Sequence, residues 1–159
     1  MEQEWLSGML RYWAEDYDWR AAEAAMNTLP HFRVDIDGIP IHFVHLRGTG
    51  SGHTPLVLTH GWPWSFLDWV EAGRRLADPA AFGGDAALGC DVVIPSLPGF
   101  GYSGKPTAPG RTLDRIARAW GVLMQRLGYP RYYAQGGDWG AMVTSSIGQQ
   151  DTTHCLGIH

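Results

Sequence analysis

The chain has 159 residues, 45% hydrophobic and only 18% charged, with a formal net charge of -4. That bounds it to one ordinary globular domain or part of a larger one, and the lack of a basic stripe argues against nucleic acid as a partner. No apolar run approaches the ~18 residues that span a bilayer, Met1 leads into Glu2-Gln3-Glu4 rather than a basic and apolar leader, and the two cysteines, Cys90 and Cys155, give neither a disulfide framework nor metal-ligand spacing, so a reducing cytoplasm is the expected compartment.

Trp5, Leu6, Met9, Leu10 and Trp13 recur at helical spacing and predict an amphipathic helix. Asp18 caps a second, Ala-rich helix from Trp19 to Asn27, ended by Leu29-Pro30. This aromatic entry segment reads as a helical arm rather than a binding device. Val34 to Ile36 and Ile39 to Leu46 flank Asp37-Gly38, a two-residue hairpin signal. His42 and His45 fall on opposite faces of the second strand and so do not pair on a metal. Gly48 to Gly52 is a flexible loop. Pro55 to Thr59 is a short buried strand that runs into His60-Gly61-Trp62-Pro63.

Phe66, Trp69, Val70, Gly73 and Leu76 form a helix face stopped by Asp78-Pro79, and Ala80 to Gly89 reads as loop. Asp91 to Ile94 is another buried strand. Gly99 to Gly104 matches G-x-G-x-x-G, but Lys105-Pro106 and Pro109-Gly110 follow where a helix would have to open, and no acid stands about 20 residues on. A dinucleotide reading is rejected; the loop instead fixes the chain beside a pocket mouth. Thr112 caps a helix with the apolar face Leu113, Ile116, Trp120, Leu123 and Leu127, terminated at Gly128. Cys155 to Ile158 forms a last strand. Alternating strands and helices predict an α/β fold, a mostly parallel sheet with helices on both faces.

The stretch Tyr133 to Ala141 organises the rest. Tyr132 to Ala134 reads as the end of a buried strand and Ala141 onward as a helix start, with Gly136-Gly137-Asp138-Trp139-Gly140 between them. Small residues two before and two after a central polar one, here Gly136 and Gly140, define the nucleophile elbow of a strand-to-helix turn. Its apex is Asp138. A serine there needs a base to attack; an aspartate, with an ordinary pKa of about 3.9, is already ionised. A carboxylate suits displacement at a saturated carbon, an epoxide or a haloalkane, and leaves an alkyl ester for water to cleave. The bland alternative is an Asp that merely caps the following helix. In an elbow enzyme the loop after the third strand and the residue after the nucleophile supply oxyanion-hole amides, assigned here to Trp62 and Trp139. His60 is expected to be a structural loop residue, with Gly61 and Pro63 completing the loop motif.

These residues together resemble the epoxide hydrolases of the α/β-hydrolase superfamily, in the microsomal and juvenile-hormone branch with its N-terminal extension. The extension is echoed by Tyr17 to Arg20, Asn27, Leu29-Pro30, Phe32 and Ile36-Asp37-Gly38; the body by His60 to Pro63, Pro95 to Pro106 and Gln135 to Gly140. The resemblance implies residues 1–32 as a helical extension and 33–159 as the N-terminal part of the hydrolase core. It implies Asp138 as the alkylated nucleophile, a small-molecule epoxide as substrate, a trans-diol as product, and no metal or organic cofactor. Trp64 departs from the Gly usual in the family. The family's acid, histidine base and two lid tyrosines lie beyond the elbow and have no counterpart here; His154 and His159 come too early. The chain is therefore expected to be an N-terminal fragment, inactive alone. Two other readings stand beside this one. A haloalkane dehalogenase shares the Asp-Trp pair but lacks the extension. A non-catalytic remnant would expose sheet edges that invite pairing, so a homo-oligomer is compatible with the sequence.

Overall fold

A computed structural model describes residues 3–50 and 55–159. The chain divides into two compact units, Met1–Pro30 and His31–His159. In the first, α1 (Gln3–Arg11) runs into a π-helical turn, Tyr12–Asp16, and α2 spans Trp19–Asn27. Asp18 caps α2 by accepting from the Ala21 amide at 2.9 Å. The π turn is not visible in the spacing of apolar residues, because a single turn is too short to establish a period of its own.

The second unit is built on a six-stranded sheet: β1 (His31–Ile36), β2 (Ile39–Leu46), β3 (Leu56–Thr59), β4 (Val92–Pro95), β5 (Tyr132–Gly136) and β6 (Cys155–Ile158), in the order β1-β2-β4-β3-β5-β6. The β1–β2 and β2–β4 pairs are antiparallel; the remaining pairs are parallel. Asp37 and Gly38 both take positive φ, 55° and 72°, as a tight hairpin turn requires. Of the loop read at Gly48 to Gly52, Ser51 and Gly52 lie outside the described residues; Thr49 is tied back by its amide to the Ala77 carbonyl at 2.8 Å.

β3 and β4 are almost wholly buried, as strands inside a parallel sheet are. Ser65 opens a 3-10 turn, Phe66–Trp69, that leads into α3 (Val70–Ala77). The stretch read as loop from Ala80 to Gly89 instead contains two short 3-10 turns, Pro79–Phe82 and Ala86–Leu88, each capped by an aspartate side chain, Asp78 and Asp85. Turns of this length carry too few apolar residues to leave a periodic signal. In α4 (Leu113–Arg126), Ile116, Trp120, Leu123 and Met124 are buried in the core beside Phe43, Val57, Val93 and Ala134. Gly128 follows at φ 84°. The helix α5 (Trp139–Gln150) starts two residues earlier than read, directly after the turn.

Strand order places the site. From β3 the chain reaches β4 on one side and then crosses to β5 on the other. Crevices outside the carboxyl ends of strands where direction switches are where open α/β sheets bind ligands. Thr59 is in register with Gly136, so the loop that leaves β3 and the turn that leaves β5 emerge side by side.

Candidate active site

Asp138 sits at the turn with φ 54° and ψ -124°, a backbone conformation that costs a non-glycine residue of order 1–3 kcal/mol. The neighbouring glycines make that turn sterically feasible. A Cβ on Gly140 would overlap the Thr59 carbonyl oxygen, and one on Gly136 would overlap the Gly140 carbonyl group. Gly137 differs: its Cβ would meet only the Trp69 ring, at 4.0 Å.

Asp138 makes no side-chain cap to α5. Its Oδ1 instead accepts from the Trp62 amide at 2.9 Å. The bond from Trp62, then that from the Trp139 amide, hold the carboxyl below the ordinary aspartate range, against a smaller opposing effect of burial. Oδ1 is thus engaged by a backbone donor from a different loop. Gly61 permits this approach, since a Cβ there would stand 2.6 Å from Asp138 Oδ1.

His60 is buried and both ring nitrogens are engaged with backbone: Nε2 accepts from the Leu97 amide at 3.0 Å, and Nδ1 faces the Gly61 carbonyl at 2.9 Å. An Nε2 that accepts must be unprotonated, so the proton is on Nδ1 and the ring is neutral. Burial pushes its pKa down, against weaker pulls from the Gly61 carbonyl and the Asp68 charge. Pro63 and Trp64 are exposed beyond it.

Trp62 and Trp139 line a cleft of about 760 Å³, completed by Leu97, Pro98, Phe100 and the start of α4. The Gly99 to Gly104 loop therefore does border the pocket mouth. A smaller recess of about 260 Å³ lies against Asp138 itself, walled by Gly61, Trp64, Asp68, Trp69 and Gly137. Trp69 and Asp68 carried no signal in the sequence beyond helix periodicity; they reach the site because the 3-10 turn follows directly on the Trp62 loop.

The other histidines lie elsewhere. His154 bonds Asp151 at 2.5 Å, and its carbonyl accepts from the amide of Tyr132, the first residue of β5, at the opposite end of that strand from Asp138. His159 pairs through its backbone with Ala134 and Gly136. His45 joins Tyr129, Asp91 and Arg47 in a cluster on the outgoing end of β2. Among the described residues no group of three or more His, Cys, Asp or Glu side chains could hold a metal ion, and no helix is long and apolar enough to cross a membrane.

With this mostly parallel sheet and the Asp138 turn after β5, the chain belongs to the alpha/beta hydrolase fold family, whose model matches residues 54–159. Residues 1–69 match the family described as the epoxide hydrolase N terminus. The relatives are named as epoxide hydrolases. Epoxide hydrolase 1 of Oryctolagus cuniculus is 36% identical over 98% of this chain and 35% of its own length. A protein of Stigmatella aurantiaca (strain DW4/3-1), whose name assigns it provisionally to the epoxide hydrolases, is 48% identical over 97% of this chain and 35% of its own length. Among solved structures, juvenile hormone epoxide hydrolase from the silkworm Bombyx mori matches with a TM-score of 0.86 at 34% identity, covering 100% of this chain and 38% of that one. The chain thus spans about a third of the length of the curated relatives it matches.

Proposed function

We propose that Asp138 is the nucleophile of an epoxide hydrolase and that this chain supplies the half-reaction in which the ester forms. The observation that carries the reading is the Trp62 amide on Asp138 Oδ1 at 2.9 Å, on a carboxylate presented at a positive-φ elbow. With Oδ1 held, Oδ2 attacks a ring carbon of the epoxide. The C–O bond of the ring breaks, its oxygen takes up a proton, and Asp138 becomes an alkyl ester whose carbonyl oxygen is Oδ1. When water attacks that carbonyl carbon, negative charge develops on Oδ1, where the Trp62 amide already points, and the Trp139 amide is the second donor of the proposed oxyanion hole. Collapse releases a vicinal diol and restores the carboxylate. The names of the relatives support the choice of an epoxide over another electrophile. No metal or organic cofactor enters these steps.

Ring opening needs a proton donor, and ester hydrolysis needs a base; each contributes typically 10²–10⁴-fold. We assign neither to a residue of this chain: His60 is neutral and committed to backbone, and His154 sits beyond the far end of β5. The chain alone is therefore expected to form the ester slowly and, once it has formed, to keep it without turnover. Incubation with styrene oxide followed by intact-mass and peptide mass spectrometry tests this. One adduct on Asp138, with no steady diol formation, is the expected result; an adduct on another side chain, or none, would sink the assignment. Bromide release from a bromoalkane in place of epoxide opening would point to a dehalogenase. Unpaired Cys90 and Cys155 go with a reducing compartment, and we place the protein in the cytoplasm, which cell fractionation would check.

A further inference from the structure

The mechanism leaves a buried histidine unused. His42, on β2, is buried, as are Ser96 and Ser103 beside it. Its Nε2 meets His31 Nδ1 at 2.8 Å and its Nδ1 meets Ser96 Oγ at 2.8 Å. Its backbone amide donates to Ser103 Oγ at 2.9 Å, that hydroxyl donates to the Ser96 carbonyl at 2.7 Å, and the Ser96 amide donates to the His42 carbonyl at 2.8 Å. The imidazole packs against Phe66 and Tyr102, with ring centroids 4.9 and 5.1 Å away. The residue after Ser96 is Leu97, whose amide is the donor to His60 Nε2. His60 in turn holds the Gly61 carbonyl, one peptide before the Trp62 amide on Asp138.

We propose that His42 is a positioning residue for the Asp138 site: a hydrogen-bonded path through Ser96, Leu97, His60 and Gly61 runs from the β1–β2 hairpin to the Trp62 amide and sets where that amide points. The proposal rests on the nucleophile reading for its catalytic meaning, though not for its geometry. The path also anchors both ends of the loop from Ser96 to Ser103, and with it the Leu97, Pro98 and Phe100 wall of the cleft. Its links need neutral rings. His60 must accept at Nε2. Between His31 and His42 one nitrogen donates and the other accepts, so two imidazolium rings would set N–H against N–H. The groups that face His42 enforce this: burial first, then the charges of His31 and Arg33 on β1, lower its pKa to about 4, while Tyr102, Phe66, Ser96 and Ser103 offer it no negative charge.

The test is carried out on the 159-residue chain with two readouts that a merely structural role would leave in place: hydrogen exchange of the Trp62 amide, relative to amides of β3 and β4, and the titration of the Asp138 carboxyl followed by ¹³C NMR. His42→Phe keeps a ring against Phe66 and Tyr102 but removes both nitrogens. Trp62 exchange is expected to quicken about tenfold, the factor that goes with losing one buried hydrogen bond, and the Asp138 pKa to rise toward the ordinary aspartate value. Ser96→Ala cuts the path one link on and should do the same, while His42→Asn, whose amide reaches Ser96, should restore part of it. Tyr129→Phe, in the cluster at the other end of β2, should change neither. If folded His42→Phe and Ser96→Ala proteins keep the wild-type exchange and titration, the proposal is overturned; if His42→Phe does not fold, Ser96→Ala decides. Loss of styrene oxide labelling at Asp138 in the unaltered chain would overturn the function reading and leave this coupling standing.

Discussion

An aspartate that opens a helix ordinarily turns its carboxylate back on the first-turn amides; Asp138 reaches across to a different loop. The cost of its backbone conformation is sustained by the fit of Gly136 and Gly140 against β3 and α5. Three of the four glycines around it, Gly61, Gly137 and Gly140, should therefore separate by what they touch. Gly140→Ala drives a methyl into the Thr59 carbonyl and is expected to lower stability by about 3 kcal/mol or more, read by urea unfolding. Gly137→Ala meets only a ring edge at van der Waals distance and should lie within about 0.5 kcal/mol of the parent. Gly61→Ala meets a side chain rather than backbone, Asp138 itself, so the fold should survive while styrene oxide labelling is lost. The carboxyl is held charged by the Trp62 amide first and the Trp139 amide second. Labelling should accordingly be independent of pH from about 8 down to 5 and fall only below the ordinary aspartate pKa of about 3.9. A rate that instead rose with pH through 6 to 7 would mean that a histidine, not the carboxylate, controls the attack.

At the scale of elements, the site is made by two loops that leave adjacent parallel strands at the same level. Trp120 of α4 fastens the first of these strands: its indole N–H donates to Thr59 Oγ1 at 3.0 Å in the core. Trp120→Phe removes the donor and leaves the hydroxyl buried, and unfolding measurements should show a loss of about 1–3 kcal/mol from the unmet hydroxyl. The elbow, the hairpin turn at Asp37-Gly38 and the caps at Asp18 and Thr112 were legible because each is specified by residues within a few positions of one another. The path through His42 was not. Its partners His31, Ser96 and Ser103 stand 11, 54 and 61 residues away, and strand alternation says which face His42 is on but not what waits there. The same holds for the second recess beside Asp138, whose Trp64 and Trp69 walls are brought together by a 3-10 turn too short to announce itself.

For the molecule as a whole, three buried histidines make stability depend on pH before any carboxylate titrates. Burial is the main cause that lowers the pKa of His42, His45 and His60, with Arg47 adding to it at His45. Between the ordinary histidine pKa of about 6.5 and the folded value of about 4 for His42, the unfolded chain binds protons that the folded chain refuses. Stability therefore rises with pH across that window and is lost as pH falls through it. His42 alone accounts for on the order of 3 kcal/mol at its lower end. The carboxylates act in the same direction but lower down: the folded pKa of Asp37 is depressed chiefly by its bond to Arg115, so what it contributes is present above about 3.9 and lost only below. Urea midpoints of the 159-residue chain should thus decline steadily from about pH 7 to 4.5, and His42→Phe, though less stable at pH 7, should show a shallower decline. A wild-type profile flat across that interval would mean that these imidazoles are open to water or already charged, and the neutral path from His31 to Trp62 could not exist as drawn.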